Sequence, residues 1–82
     1  MEADSSPLKV LIVSTDRILF RGNASSVVLP GEKGVFEILP HHKRLLSRLL
    51  GGHILVDGHS LPIKRGAAKV GLNEITIIVK ER

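Results

Sequence analysis

The chain has 82 residues, room for one domain and too little for a second interior. A fold of this size buries roughly 60 to 65% of the surface its unfolded chain exposes, so stability is marginal without a staple or a partner. Cysteine is absent, which excludes disulfides, thiol catalysis and thiolate metal sites and points to a reducing compartment or indifference to redox. Twelve Lys and Arg against eight Asp and Glu leave a formal charge of +4, which invites an acidic partner. The basic residues are nevertheless spread along the chain, with Lys43-Arg44 and Lys64-Arg65 the adjacent pairs and no longer block. A solvated surface is the simpler reading of that spread than a stripe that tracks phosphates.

The opening residues, MEADSSPLKV, carry acidic groups and no apolar core of a secretory signal, and residues 1–7 read as a disordered polar leader. No apolar run approaches the ~18 residues a membrane-spanning helix needs. From residue 8 onward, apolar side chains recur at period two in short runs rich in Val, Ile and Leu, broken by Gly or Pro. That rhythm predicts an all-β fold.

Residues 8–14 place Leu8, Val10 and Ile12 on one face and Lys9, Leu11 and Val13 on the other. Residues 17–21 continue the alternation, Arg17, Leu19 and Arg21 against Ile18 and Phe20. Phe20 is one of only two aromatic residues and is expected to anchor the core. Further strands are expected at 26–30, 35–39, 53–56, 60–65, 67–70 and 74–80, the last with Ile75, Ile77 and Val79 in register. Between them, Pro30-Gly31-Glu32-Lys33-Gly34 reads as a turn whose glycines supply positive φ. Asp57-Gly58 is a strong hairpin signal, and residues 71–74 form another turn.

Residues 43–50, KRLLSRLL, dissent: Leu45, Leu46, Leu49 and Leu50 fall at helical spacing between Pro40 and the Gly51-Gly52 stop. Isolated segments this short are decided by tertiary pairing, and the residues alone leave helix and strand both open.

The chemical readings are sparse. Serines at 5, 6, 14, 25, 26, 47 and 60 sit in no nucleophile elbow, and no carboxylate pair flanks a cleft motif. His41 and His42 are neighbours that point apart in an extended segment, and His53 and His59 flank a hairpin, so surface histidines explain them better than a metal site. Gly31-Glu32-Lys33-Gly34 matches a GxxG nucleic-acid clamp, but such a clamp joins helices and this stretch joins strands. With two Phe and no Tyr or Trp, a base-stacking platform is hard to build. A non-catalytic docking module is what remains, with a small basic β-domain for RNA or single-stranded DNA as the alternative.

The order Phe20-Arg21-Gly22, Val28, Pro30-Gly31-Glu32-Lys33-Gly34, Ile38-Leu39-Pro40-His41-His42, Leu45-Leu46 and Gly52-His53-Ile54, followed by Gly66-Ala67-Ala68-Lys69-Val70, Asn73 and Ile75-Thr76-Ile77, resembles the amino-terminal domain of the F-type ATP synthase epsilon subunit. The resemblance implies a flattened β-sandwich of two antiparallel sheets with about eight to ten short strands over residues 8–82, and assigns residues 44–50 to a strand. It implies structural turns at Gly22, Pro30, Gly31, Gly34, Pro40, Gly52 and Gly66, and core positions at Phe20, Val28, Ile38 and Ile77.

In function it implies a non-catalytic rotor subunit that clamps the gamma subunit to the membrane c-ring and supports coupling of proton translocation to ATP synthesis. No cofactor, metal or direct nucleic-acid contact is implied, and the location is peripheral, on the cytoplasmic side of the membrane. The c-ring-facing residues would be Glu32, Lys33, Val35, His42 and Lys43. His42 matches the family's histidine, whereas His41 stands where glycine is usual, Lys43-Arg44 replace Ala-Pro, and Val35 takes a position that is often acidic. Full-length relatives continue into a two-helix hairpin that can regulate ATP hydrolysis and bind ATP; ending at Arg82, the chain is expected to have neither activity.

Overall fold

The computed structural model describes residues 7–82, so most of the expected leader lies outside the described residues. Eight strands follow in chain order: β1 Leu8–Val13, β2 Ile18–Ala24, β3 Val27–Gly31, β4 Gly34–Ile38, β5 Leu45–Leu49, β6 Gly52–Val56, β7 His59–Val70 and β8 Glu74–Glu81. No described residue is helical. The strand count and class match the sandwich expected from the sequence.

Hydrogen bonding runs β2-β1-β8-β7-β5-β3-β4, with β6 bridging β3 and β7. Every ladder is antiparallel except β1 with β8, which is parallel. The two layers share a strand. Residues 59–63 of β7 pair with β6, and residues 66–70 pair with β5, while β8 follows along its other edge. The register slips between Ile63 and Arg65, so the switch of layer coincides with a bulge at Lys64. Strands commonly turn the corner of a sandwich in this way.

The interval that the sequence divides into strands 60–65 and 67–70 is therefore one bent strand of 12 residues. Gly66 is not a turn but a strand position of close approach: a Cβ there would lie 2.6 Å from the Ile78 carbonyl oxygen.

The interior is wholly apolar among the described residues. Leu8, Val10 and Ile12 of β1 meet Ile75, Ile77 and Val79 of β8, as the period-two pattern predicts. Leu49, Ala68 and Val70 extend that layer. Val27, Leu29, Ile38, Ile54, Val56 and Ile63 form the facing one. Ile38 and Ile77 sit in the core as expected.

Two other core assignments need correction. Val28 is half-buried and on the opposite face of β3 from Val27 and Leu29, because neighbouring strand residues point apart. Phe20 points inward opposite Ile12, but β2 is an edge strand, so its ring caps the core half-buried and lies over Gly22.

Several expected turn residues are likewise strand residues. Gly22 lies mid-β2, Pro30 and Gly31 end β3, and Gly34 and Gly52 begin β4 and β6. The turn itself is Glu32-Lys33, closed by the Gly31–Gly34 pair. Gly31 leaves room for the Phe36 ring, which a Cβ would approach to 2.6 Å, and Gly34 takes φ +124° with nothing near its Cβ position.

Asp57 and Gly58 both have positive φ, 48° and 84°, the combination required by the tight hairpin that joins β6 to β7. Pro40 is in a turn as expected. The His42 N–H donates to the Leu39 carbonyl at 3.2 Å and His41 takes φ 69°, a type II arrangement with proline at its second position.

The leucine-rich segment resolves as strand β5. Leu49 is buried and Leu45 half-buried, whereas Leu46 is 79% exposed. Pairing with β7 along all of β5 supplies the hydrogen bonds that overrule the local helical spacing.

Burial sets the cost of truncating a large apolar side chain. Ile77→Ala, in the sealed interior, is expected to cost about 3 to 4 kcal/mol, and Phe20→Ala, at the half-open edge, about 2 kcal/mol. Urea unfolding of both variants checks the order; equal losses would place the Phe20 ring in the core. Gly34→Val is expected to cost about 1 to 3 kcal/mol through backbone strain alone, since its side chain meets no neighbour. Retention of wild-type stability in that variant would show that the turn accepts another φ.

Candidate interaction edge

The Glu32-Lys33 turn projects from the β3–β4 hairpin, and both side chains are exposed with no hydrogen bond or ion pair among the described residues. Val35 follows at 73% exposure. β5 runs alongside, so that Glu32, Lys33, Gly34 and Val35 share an open groove of about 450 Å³ with Leu45, Leu46, Ser47 and Arg48.

His42 and Lys43 belong to the other end of β4, in the connection 39–44 that delivers the chain to β5. The His42 Nδ1 lies 2.7 Å from the Lys43 carbonyl. A carbonyl can only accept, so Nδ1 carries the proton. This connection is fastened by the His41 N–H, which donates to Asn73 Oδ1 at 2.7 Å.

The five residues singled out in the sequence thus form two groups. Glu32, Lys33 and Val35 share a groove; His42 and Lys43 stand on a separate loop. What links the groups is the first half of β5, whose Leu46 borders the groove beside Glu32 and Lys33 and also lines a shallow recess with Arg44 and Leu72. Leu46 is not among the residues singled out from the sequence, because the spacing of Leu45, Leu46, Leu49 and Leu50 leaves helix and strand both open and so does not say which leucine faces outward. Strand alternation turns it outward.

Elsewhere the surface is held by local polar bonds. The Asp57 carboxylate accepts from the Ser25 and Ser26 N–H groups at 3.0 Å, and the Asp57 N–H donates to the Ser26 carbonyl, tying the β2–β3 corner to the β6–β7 hairpin. Arg17 pairs with Glu81 at 2.6 Å, the one ion pair among the described residues. The hydrogen bond from Arg17 holds Glu81 below its ordinary range, and the same bond raises Arg17. Because the Glu81 value is depressed, the pair's small contribution is present above the ordinary glutamate range and is lost as pH falls through the lowered value. Exposure keeps it weak.

No three His, Cys, Asp or Glu side chains gather among the described residues. Phe20 and Phe36 both pack against the core and present no exposed ring pair for stacking bases. The site is therefore a shaped edge with charge and one prominent leucine. Such an edge can recognise a protein surface; it contains no described constellation for bond cleavage.

Comparison with known proteins agrees in sequence and in shape. Residues 7–82 match the family described as ATP synthase, Delta/Epsilon chain, beta-sandwich domain. The ATP synthase epsilon chain of a Nitratiruptor species is 41% identical over 78 residues, covering 89% of this chain and 60% of that protein. The epsilon chain of Maricaulis maris is 40% identical over 74 residues, 85% of this chain and 56% of that one.

The chain thus spans a little over half the length of the curated relatives it matches. Its fold is also similar to a chain in the central stalk and c-ring structure of the Tetrahymena thermophila mitochondrial ATP synthase, with a TM-score of 0.80 at 12% identity, covering 96% of this chain and 67% of that one. A chain of the Euglena gracilis mitochondrial ATP synthase gives a TM-score of 0.86 at 15% identity, covering 98% and 54%. Matched to that family's model from residue 7 to residue 82, and 40% or more identical to epsilon chains over most of its length, the chain belongs to the family of the ATP synthase delta/epsilon chain β-sandwich domain.

Proposed function

We propose that the chain is a non-catalytic rotor subunit of an F-type ATP synthase, with one sheet face on the gamma subunit and the Glu32-Lys33 and His42-Lys43 turns against the c-ring. The observation that carries this reading is the match over residues 7–82 to a family whose relatives are ATP synthase epsilon chains. The edge geometry supports it. Leu46 at 79% and Val35 at 73% exposure stand between and beside the two turns, and apolar side chains this open favour a covered state.

The role is mechanical. A rotor clamp must resist shear, and a close-packed apolar interior crossed by continuous ladders does so better than a hinged element. Polar loops of the ring would meet Glu32, Lys33 and Lys43, while Leu46 and Val35 would lose water on contact. The basic departures at His41, Lys43 and Arg44 favour an acidic or neutral partner surface. In the assembled enzyme the domain would lie peripherally, on the cytoplasmic side of the membrane.

Co-expression with the gamma subunit of the same organism should yield a stable complex, and that complex should bind detergent-solubilised c-ring. Replacing Leu46 and Val35 together by Glu is expected to weaken c-ring capture at least tenfold while gamma binding and the melting temperature are retained. Undiminished capture by the variant would remove this edge from the ring interface. Failure of the wild-type chain to associate with gamma would defeat the rotor reading itself.

A further inference from the structure

The basic pair Lys64-Arg65 is not used by the interaction edge. In a regular strand its two side chains would leave by opposite faces. The bulge at Lys64 suspends that alternation, and both residues line one open groove of about 960 Å³ beside the Ser14–Arg17 turn. Arg48 and Lys80 line the same groove.

Register fixes how these cations are arranged. Arg65 and Lys80 stand directly opposite on β7 and β8, which places their Cβ atoms about 5 Å apart. Arg48 is opposite Ala67, two residues from Arg65 on the same face. Ala67 is the low point of that face beside the positive side chains, and its partner Ile78 stands next to it 55% exposed.

Nearby acidic groups do not neutralise the cluster. Glu81 is engaged by two guanidinium nitrogens of Arg17, at 2.6 and 3.3 Å. Asp16, the other acidic lining residue, is exposed and forms no ion pair among the described residues, so it offsets one of the four positive charges and leaves the groove cationic. Arg48, Lys64, Arg65 and Lys80 have no ion pair among the described residues. Like charges opposite each other across a ladder destabilise the sheet, so this arrangement gains from an added anion.

We infer that the groove formed by Arg48, Lys64, Arg65 and Lys80 binds a phosphate-bearing anion, supplied either by a soluble di- or polyphosphate or by a phospholipid headgroup. Two guanidinium forks suit paired phosphate oxygens, and the two ammonium groups add charge without fixed geometry. The floor of Ala67 leaves space for the anion to approach the strands. The inference does not rest on the rotor reading: Arg48 also borders the edge groove, but Lys64, Arg65 and Lys80 do not, and the test uses the chain alone.

Titrating the isotope-labelled chain with inorganic pyrophosphate at low salt should shift the backbone amide signals of residues 64–67 and 80 and reach saturation. Arg65→Ala with Lys80→Ala should raise the Kd at least tenfold, whereas Lys9→Ala with Arg21→Ala, an equal loss of charge at another part of the sheet, should change it less than twofold. Melting curves provide a second reading: pyrophosphate should raise the Tm of the wild-type chain and leave that of the Arg65/Lys80 variant unchanged. Arg65→Gln alone serves if the double variant does not fold.

Sedimentation with phosphatidylglycerol vesicles against phosphatidylcholine vesicles identifies the source. Capture by phosphatidylglycerol that depends on Arg65 and Lys80 assigns a lipid headgroup, and pyrophosphate binding without vesicle capture assigns a soluble phosphate. Binding to neither, or equal weakening in the two double variants, would overturn the proposal.

Discussion

The structure depends on one strand changing partners. β7 pairs with β6 in its first half, with β5 in its second and with β8 through most of its length, so it belongs to both layers. The change of partner falls between residues 63 and 66, and the strand bends there. The bulge at Lys64 supplies the bend, and Gly66 permits the strands to close immediately after it, where a Cβ would meet the Ile78 carbonyl oxygen at 2.6 Å. A side chain at Gly66 would have to push β8 away, and the parallel ladder from β8 to β1 would move with it. A single residue without a side chain therefore sets how closely β7 and β8 approach at this point.

From that constraint the division of labour between interior and edge follows. All the buried side chains among the described residues are apolar, and none leaves an unsatisfied polar atom. Such an interior contributes stiffness and hydrophobic stabilisation but no reactive group. Chemistry and recognition are displaced to the turns and to the outward positions of β5, which is stapled to β7 over its full length and so presents Leu46 from a rigid base. A domain this small has little stability to spare, and burying Leu46 and Val35 on a permanent neighbour would add to it by mass action. Marginal size and a docking role are two consequences of the same shortage of interior.

How much of this was legible in the sequence depended on whether local pattern and tertiary pairing agreed. They agree in β1 and β8, where Leu8, Val10, Ile12, Ile75, Ile77 and Val79 recur at every second position and are all buried. They agree also at Asp57-Gly58, whose two positive φ values are demanded by the hairpin and tolerated by those residue types. They part in β5, where four leucines have helical spacing but β7 offers a complete ladder. They part again at Gly22 and Gly66, which punctuate the sequence like turns yet lie inside strands, because a glycine can mark close approach as well as a change of direction. The Val28 error has a different source: in the run Val27-Val28-Leu29 every residue is apolar, so alternation carries no information about which face is inward. The edge residues were harder still. That Glu32 and Lys33 share a groove with β5 depends on a register between distant strands, and no local signal encodes it.

The turn at Leu39–His42 shows how such an edge can change its chemistry and keep its shape. Its third residue must take positive φ, a conformation glycine enters freely, and resemblance to the family places glycine there. This chain has His41 instead, at φ 69°. Histidine is among the side-chain-bearing residues that enter this region more readily than most, but the conformation still needs support. Support comes from Asn73, itself at φ 53°, whose side-chain oxygen accepts the His41 N–H at 2.7 Å while its own carbonyl accepts from Lys9 at 2.9 Å. One asparagine thus joins the turn to the first residues of β1 and supports the positive φ of the imidazole-bearing residue. The backbone route to His42, Lys43 and β5 is held from outside the turn, and the imidazole together with Lys43 and Arg44 sets the charge that the edge displays. Shape and charge are separable here because the shape is fixed by backbone hydrogen bonds to Asn73 and Leu39, neither of which depends on the side chain at position 41.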